Sequence, residues 1–316
     1  MNDDIDSLFS AARCGHRRST ARLLSLVERG GAPAEVIAAT AHRNGGNSHI
    51  VGITGSPGAG KSTLTNALCT ALATAERRVA VLAIDPSSPF TGGAILGDRI
   101  RMSDHALNPN VFVRSMATRG HLGGLSLATP SAVRLLDALG FSVVIVETVG
   151  VGQVEVDIVR SADSVVVVLN PGWGDAVQAN KAGLMEIGDI FVINKADRAG
   201  AGQTRQDLEQ SLAMRPPNDW IPPIVDTIAT AGSGAGELRG EIERHARFLH
   251  ASGLGERRFG DRCRSEIVAV MSAVLARRSE MLTVGSRFDE IAERVVARDL
   301  DPWAAGHLLL ESGESE

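Results

Sequence analysis

A glycine-rich run containing one lysine is the strongest chemical signal in this 316-residue sequence. It fits the pattern G-x-x-x-x-G-K-[ST], in which backbone N–H groups bind phosphates, the lysine reaches the β- and γ-phosphates, and the last hydroxyl ligates Mg²⁺. An apolar stretch at 50–54 precedes it and a helix-like stretch at 63–76 follows, as the pattern requires. We therefore predict a nucleotide-phosphate site, with Lys61 also catalytic, built from Gly55, Ser56, Pro57, Gly58, Ala59, Gly60, Lys61, Ser62 and Thr63.

A second loop has the residue types that distinguish guanine from adenine. The pattern N-K-x-D, here Asn194, Lys195 and Asp197, follows the apolar run 190–193. Its aspartate would accept hydrogen bonds from two guanine donors that adenine does not present, and a mispaired buried carboxylate is costly. Asn194 would tie this loop to the phosphate loop, and a simple turn rich in Asn and Asp is the alternative. After the run 224–228, the residues expected to support the base through their backbone are Ala229 and Thr230.

Three carboxylates are candidates for a magnesium site. Glu147 ends the apolar run 143–146, and Gly150 three residues later has the place of a γ-phosphate sensor. Asp85 ends the run 79–84, and Asp98 lies in a glycine-rich stretch; a strand-end acid and a helix cap are the alternatives for these two. The predicted metal ligands are Ser62, Asp85, Asp98 and Glu147, of which Asp85 and Glu147 are also candidate catalytic residues.

The glutamine that many small GTPases place directly after this glycine is absent. Val151 stands there instead, and Gln153 lies two residues further on. The attacking water must therefore be positioned by another group, for example Asp85, or hydrolysis is slow until a partner assists.

The elements that must position these loops follow from the apolar pattern. Strand-length runs at 50–54, 79–84, 111–113, 143–146, 164–169, 190–193 and 224–228 alternate with helix-like stretches. Such alternation predicts an α/β fold of the P-loop NTPase type, with a mostly parallel sheet covered by helices. We expect an N-terminal helical segment at 1–46, a G domain at 47–250 and a C-terminal helical arm at 251–316.

Composition excludes several classes of function. A net charge of −5, no tyrosine and 3% aromatic residues argue against a nucleic-acid partner. No apolar run reaches the roughly 18–20 residues that span a bilayer, and the acidic start lacks a signal-peptide pattern. Three widely separated cysteines are typical of a reducing compartment. We expect a cytoplasmic protein without a membrane partner.

Long stretches of the sequence resemble one known family. The runs 85–102, 114–124 and 147–153, together with 194–197, are similar to the methylmalonyl-CoA mutase-associated GTPases of the MeaB/ArgK group, in the SIMIBI class. The resemblance implies a homodimeric GTPase that binds GTP, GDP and Mg²⁺. It also implies a G-protein chaperone that couples GTP to cofactor loading and protection of an adenosylcobalamin-dependent methylmalonyl-CoA mutase.

The resemblance further assigns a switch and a dimer arm. The stretch 170–181 resembles the family's extra switch, whose candidate residues here are Asp175, Gln178 and Lys181. Lys181 is one of only three lysines, beside Lys61 and Lys195, in a chain that otherwise uses arginine. Trp173 is larger than expected there, and either contacts a partner, forms a lid or packs within the chain. The helices after residue 256 are the implied dimer arm.

Two other functions remain open from the residues alone. A nickel-type metal-insertion GTPase of the same fold would need metal ligands, and only His245 and His250 among the eight histidines lie close in sequence. A nucleotide-dependent scaffold with little turnover is the other, because the usual glutamine is missing.

Overall fold

The computed structural model describes residues 2–73, 77–86, 105, 107–118, 128–148, 162–172, 178–216 and 219–312. By its internal contacts the chain separates into two compact units, Met1–Arg262 and Cys263–Glu316. The division into segments 1–46, 47–250 and 251–316 stays a prediction.

A seven-stranded sheet forms the centre of the first unit. Its order is β3-β2-β4-β1-β5-β6-β7, and every neighbouring pair is parallel. The predicted α/β fold of the P-loop type is therefore confirmed. The strands are β1 His49–Gly55, β2 Val79–Pro86, β3 Val111–Thr118, β4 Val143–Thr148, β5 Ser164–Leu169, β6 Ile190–Asn194 and β7 Ile224–Thr227.

Strand β3 is longer than the apolar run 111–113 predicts, and it continues to Thr118. Arg114 lies within it and donates hydrogen bonds to Ser25 and to the carboxylate of Glu28. A charged side chain is tolerated here because β3 is an edge strand with a polar partner within reach. The apolar run therefore predicts too short a strand, because it ends at the residue before Arg114.

The strand order changes direction beside β1. The chain leaves β1 for β2 and β3 on one side, returns through β4, and then continues to β5 on the other side. In open parallel sheets, ligands bind at the carboxyl ends of the strands where the order reverses in this way. The loops after β1, β4 and β6 therefore lie at the edge expected to hold a ligand.

Helices of the first unit cover both faces of the sheet. The described helices of the two units are α1 Asn2–Arg13, α2 Arg17–Arg29, α3 Ala32–Asn44, α4 Lys61–Leu72, α5 Ala128–Ala138, α6 Gln178–Ile187, α7 Ala201–Ala213, α8 Ala235–Ser252, α9 Leu254–Leu282, α10 Ser286–Val296 and α11 Pro302–Ser312.

The N-terminal helices share a hydrophobic core with one face of the sheet. Leu24 of α2 and Ile37 of α3 belong to the same buried cluster as Leu82 and Val144 of the sheet. Residues of α4 and α8 cover the opposite face, together with the valines that point the other way along the strands. Alternate strand residues point to opposite faces, so each apolar run supplies both cores.

The second unit is helical. It contains the part of α9 that begins at Cys263, followed by α10 and α11. Large apolar side chains of α9 are exposed there, including Ile267, Val268, Val270, Met271, Val274 and Leu275. None of the described helices is both long and apolar enough to cross a membrane.

Candidate nucleotide-binding site

The phosphate loop connects the end of β1 to the start of α4. Gly55, Gly58 and Gly60 have φ values of 136°, 72° and 91°, in the region that favours glycine. A Cβ atom at Gly55 would overlap the carbonyl group of Val168 on the neighbouring strand. Glycine at position 55 therefore lets the loop backbone lie close to β5. The loop leads into the N-terminus of α4, the positive end of the helix dipole.

Two lysine side chains donate hydrogen bonds to backbone carbonyl oxygens of this loop. Lys61 Nζ donates to Gly55 O at 2.7 Å and to Ser56 O at 3.1 Å. Lys195 Nζ donates to Gly58 O at 2.6 Å, so an ammonium group from the guanine loop reaches the phosphate loop. Two cations are thus held beside a turn rich in backbone N–H groups, which favours an anionic ligand.

Ser62 and Glu147 form a buried pair of oxygen donors next to the loop. The Ser62 hydroxyl donates to Glu147 Oε1 at 2.6 Å, and the two residues are 6% and 1% exposed. Glu147 pairs in register with Ile53 of β1, which brings the end of β4 beside the start of α4. Hydroxyl and carboxylate oxygens are the donors that Mg²⁺ prefers, so this pair fits the ion.

The structure describes little of the other three predicted residues, the metal ligands Asp85 and Asp98 and the γ-phosphate sensor Gly150. Asp85 is described only by its backbone, which lies in β2 and pairs with Ala117 of β3. Asp98 and Gly150 lie outside the described residues. The structure therefore brings Ser62 and Glu147 together, and the roles of Asp85, Asp98 and Gly150 stay predictions.

The predicted guanine loop follows β6 and touches the phosphate loop directly. Asn194 is buried at 2% exposure, and its Nδ2 donates to Ala59 O at 2.7 Å. Lys195 has a φ of 60°, an unusual left-handed conformation for a residue other than glycine. Asp197 is exposed at the end of this turn. The two loops are thus one connected structure, although 135 positions separate the bonded residues.

The loop after β7 completes this arrangement. Ala229 is buried at the start of a short 3₁₀ helix, Ala229–Ala231, and its N–H donates to Asn194 Oδ1 at 3.1 Å. Thr230 is exposed. Ala229 therefore contacts the guanine loop through its backbone.

Two residues of this site gain roles that sequence reasoning missed. The hydroxyl of Thr227 donates to Asn194 Oδ1 at 3.1 Å, while a Cβ atom at Gly60 would overlap Asn194 Nδ2. Thr227 is the last residue of β7 and lies two residues before Ala229, the first residue of the predicted 229–230 loop. The sequence places Thr227 inside the predicted run 224–228, so no local signal distinguishes it.

The predicted switch residues are only partly described. Gln178 is the first residue of α6, and Lys181 lies in its first turn. The side chains of both residues, and the whole of Trp173 and Asp175, lie outside what the structure describes. Their role stays a prediction.

The two neighbouring histidines of α8 have different surroundings. His245 is fully buried, whereas His250 is exposed. His245 Nδ1 lies 2.6 Å from Ser164 Oγ, and Ser164 in turn lies 2.8 Å from His49 Nε2. Burial lowers the pKa of His245 to about 4, so this ring is neutral at pH 7. It belongs to a hydrogen-bonded network at the amino ends of the strands, away from the phosphate loop.

Comparison with known proteins decides the family. The model of the family described as "Methylmalonyl Co-A mutase-associated GTPase MeaB" matches residues 20–282. The chain belongs to the MeaB family of GTPases. This MeaB-family chain is accordingly a GTPase that binds guanine nucleotides, as the phosphate loop and the N-K-x-D loop predict.

Relatives and a solved structure agree with this membership. A Pyrococcus horikoshii protein named as a GTPase is 50% identical over 97% of this chain and 98% of its own length. A mitochondrial Caenorhabditis elegans protein, named as a methylmalonic aciduria type A homolog, is 38% identical over 67% of this chain and 54% of its own length. The crystal structure of an LAO/AO transport system kinase superposes with a TM-score of 0.69, covers 97% of this chain and 96% of its own, and is 26% identical.

Proposed function

We propose that this chain is a Mg²⁺-dependent GTPase that serves an adenosylcobalamin-dependent methylmalonyl-CoA mutase. It would couple GTP binding and hydrolysis to cofactor loading and protection of that enzyme. One observation carries the nucleotide part of the proposal: the hydrogen bond from Asn194 Nδ2 to Ala59 O, which joins the loop proposed to select the base to the loop proposed to hold the phosphates.

Guanine selection is assigned to Asp197. Its exposed carboxylate follows a turn that Asn194 and Lys195 hold against the phosphate loop. It is proposed to accept two hydrogen bonds from guanine, a pair that adenine cannot donate. Selection is strong because the wrong base leaves a desolvated carboxylate unpaired.

Mg²⁺ binding is assigned to Ser62 and Glu147, with Asp85 and Asp98 as further candidates. The supporting observation is the buried oxygen pair at 2.6 Å beside the helix that begins at Lys61. When bound, the ion supplies positive charge that offsets charge developing on the phosphates. Lys61 and the N–H groups at the start of α4 bind and orient the same phosphates.

The mutase partnership is supported by names and by position in the chain. The matching family is described as mutase-associated, and the C. elegans relative is named after methylmalonic aciduria. Asp175, Gln178 and Lys181 are proposed to report the nucleotide state to the mutase. Two of them lie at the start of α6, which follows β5 at the edge of the sheet that holds the phosphate loop.

A homodimer through the C-terminal helices is part of the proposal. The exposed apolar side chains of α9 within the second unit include Met271, at 57% exposure. An apolar helix surface of this kind favours burial against a partner. Sedimentation should show that Met271→Asp weakens self-association. Met214→Asp, which changes an exposed methionine of the first unit, is the matched control.

The central experiment combines hydrolysis and capture. Phosphate release from GTP and from ATP is measured with Mg²⁺ or with EDTA, alone and with the methylmalonyl-CoA mutase encoded in the same genome. We expect slow, Mg²⁺-dependent turnover of GTP, faster with mutase, and GTP-dependent capture of the mutase. Lys181→Ala should reduce the stimulation, whereas Glu186→Ala, on the exposed side of the same helix, should not.

Other outcomes point to other functions. GTP binding without turnover, even with mutase present, would identify a nucleotide-dependent scaffold. Tight nickel binding combined with failure to capture the mutase would support the metal-insertion alternative. Either result would overturn the mutase proposal while leaving the nucleotide site intact.

A further inference from the structure

Thr227 is a buried residue at the end of β7, with 1% of its surface exposed. We propose that Thr227 is a positioning residue for guanine recognition. Its hydroxyl holds the Asn194 amide in place through a hydrogen bond to Oδ1, and that amide aligns the guanine loop with the phosphate loop. The inference rests on the proposed recognition of guanine by Asp197 and adds a residue that does not itself touch the base.

The hydrogen bonds around Asn194 show why its orientation matters. Oδ1 accepts from Thr227 Oγ1 at 3.1 Å and from Ala229 N–H at 3.1 Å, while Nδ2 donates to Ala59 O at 2.7 Å. Turning the amide over would set its NH₂ group against the N–H of Ala229 and its oxygen against the carbonyl oxygen of Ala59. Ala229 and Ala59 therefore select this orientation, and the Thr227 hydroxyl adds a second hydrogen bond to Oδ1 that holds the amide in it.

Thr227 also holds the guanine loop by its backbone. Its carbonyl oxygen accepts the N–H of Ala196 at 3.1 Å. The hydroxyl bond to Asn194 and the carbonyl bond to Ala196 thus flank Lys195, whose φ is 60°. A left-handed residue other than glycine needs such support, since its backbone is strained. Thr227 therefore forms hydrogen bonds on both sides of Lys195, in the turn that leads to Asp197.

The side-chain bond can be removed without removing the strand pairing. Thr227 pairs with Asn194 in the β6–β7 ladder, and that pairing depends only on backbone groups. Thr227→Val keeps the shape and the β-branched character of the side chain but leaves Asn194 Oδ1 with a single donor. The expected damage is to the placement of Asp197, while the fold is retained.

The test compares nucleotides that differ only in the groups Asp197 is proposed to read. GTP and ITP differ by the exocyclic amine, so the ratio of their dissociation constants reports that contact. Thr227→Val should weaken GDP binding about tenfold and lower the preference for GTP over ITP by a similar factor. Thr227→Ser, which retains the hydroxyl, should restore both values.

A matched control separates positioning from general stability. Thr204 of α7 is also buried, at 6% exposure, and its hydroxyl donates to the carbonyl oxygen of Gly200, the residue before that helix. Thr204→Val removes a buried hydroxyl elsewhere, so it should leave the GTP-to-ITP ratio unchanged even if the protein is less stable. If Thr227→Val does not fold, Thr227→Ala is measured in its place.

The outcomes distinguish this inference from the function on which it rests. Failure of Thr227→Val to change the ratio by more than about twofold, or of Thr227→Ser to restore it, overturns the inference. Asp197→Asn is measured in parallel. If Asp197→Asn also leaves the GTP-to-ITP ratio unchanged, the proposed recognition of guanine by Asp197 is itself wrong. If Asp197→Asn changes the ratio and Thr227→Val does not, only the role of Thr227 is rejected.

Discussion

Arg258 and Asp189 meet through two parallel hydrogen bonds of 2.9 and 3.0 Å at the amino ends of the strands. Arg258 lies near the start of α9, and Asp189 directly precedes β6. The same guanidinium donates to Asp163 O at 2.6 Å, while Asp189 Oδ2 also accepts from Val165 N–H at 2.9 Å. One arginine thus holds the beginning of α9 to the beginnings of two neighbouring strands.

Replacing Arg258 by lysine should destabilise the first unit. An ammonium group keeps the charge but cannot form two parallel bonds to one carboxylate and a third to a carbonyl oxygen. We expect the free energy of unfolding to fall by about 1 kcal/mol in urea titrations, a modest value since Arg258 is partly exposed. Arg257→Lys, at an exposed neighbouring position, should have little effect. Equal losses in the two variants would contradict the role of the paired bonds.

Acidification should destabilise the protein through His245. Its pKa is lowered, chiefly by burial, from 6.5 to about 4, so the folded chain keeps the ring neutral while the unfolded chain takes up a proton. Stability is therefore fully present above about pH 6.5 and is lost as pH falls towards 4, at up to about 1.4 kcal/mol per pH unit for this group. The surrounding titratable and charged groups are His49, Asp163, Asp189, Arg258 and Arg262.

The measurement is a set of urea titrations between pH 7 and pH 5. His245→Gln should flatten the dependence of the free energy of unfolding on pH, because it removes the titrating group while leaving a polar side chain. His250→Gln, at an exposed position of the same helix, should retain the wild-type dependence. Indistinguishable slopes for His245→Gln and the wild type would show that another group is responsible.

Gly60→Ala should uncouple the two nucleotide loops. The new methyl group would overlap the Asn194 amide in addition to straining a residue whose φ is 91°. We expect GDP affinity to fall at least about tenfold, as measured with a fluorescent nucleotide. Gly15→Ala is the control for strain, because its φ is 90° and nothing lies within 4 Å of the added atom. That variant should lose about 1–2 kcal/mol of stability but bind GDP normally.

Glu147→Gln should remove the response of nucleotide binding to Mg²⁺. The amide has nearly the shape of the carboxylate and can still accept a hydrogen bond from Ser62, but its charge is gone. We expect Mg²⁺ to improve nucleotide affinity roughly 10- to 100-fold less than in the wild type. Calorimetry with and without Mg²⁺ measures this. Glu237→Gln, at an exposed position of α8, is the control, and unchanged Mg²⁺ dependence in Glu147→Gln would reject the assignment.

The sequence by itself determined the fold class and the two nucleotide motifs. Continuous apolar runs placed seven strands, because parallel strands covered on both faces carry few polar residues. The phosphate loop could be predicted because its residues, Gly55 to Ser62, are consecutive and its chemistry depends on their own backbone. Where polar residues interrupt a strand, the apolar run underestimates its length: the run 111–113 ends before Arg114, but β3 continues to Thr118.

Only the tertiary structure decided how distant residues support one another. The bond from Asn194 to Ala59, the double donation to Asn194 by Thr227 and Ala229, and the hold of Arg258 on Asp189 all join segments far apart in the chain. Nothing in the local pattern of Thr227 or Asp189 distinguishes them from ordinary strand-end residues. Their roles arise because a parallel sheet gathers the ends of its strands at shared edges, and which ends become neighbours is set by the strand order.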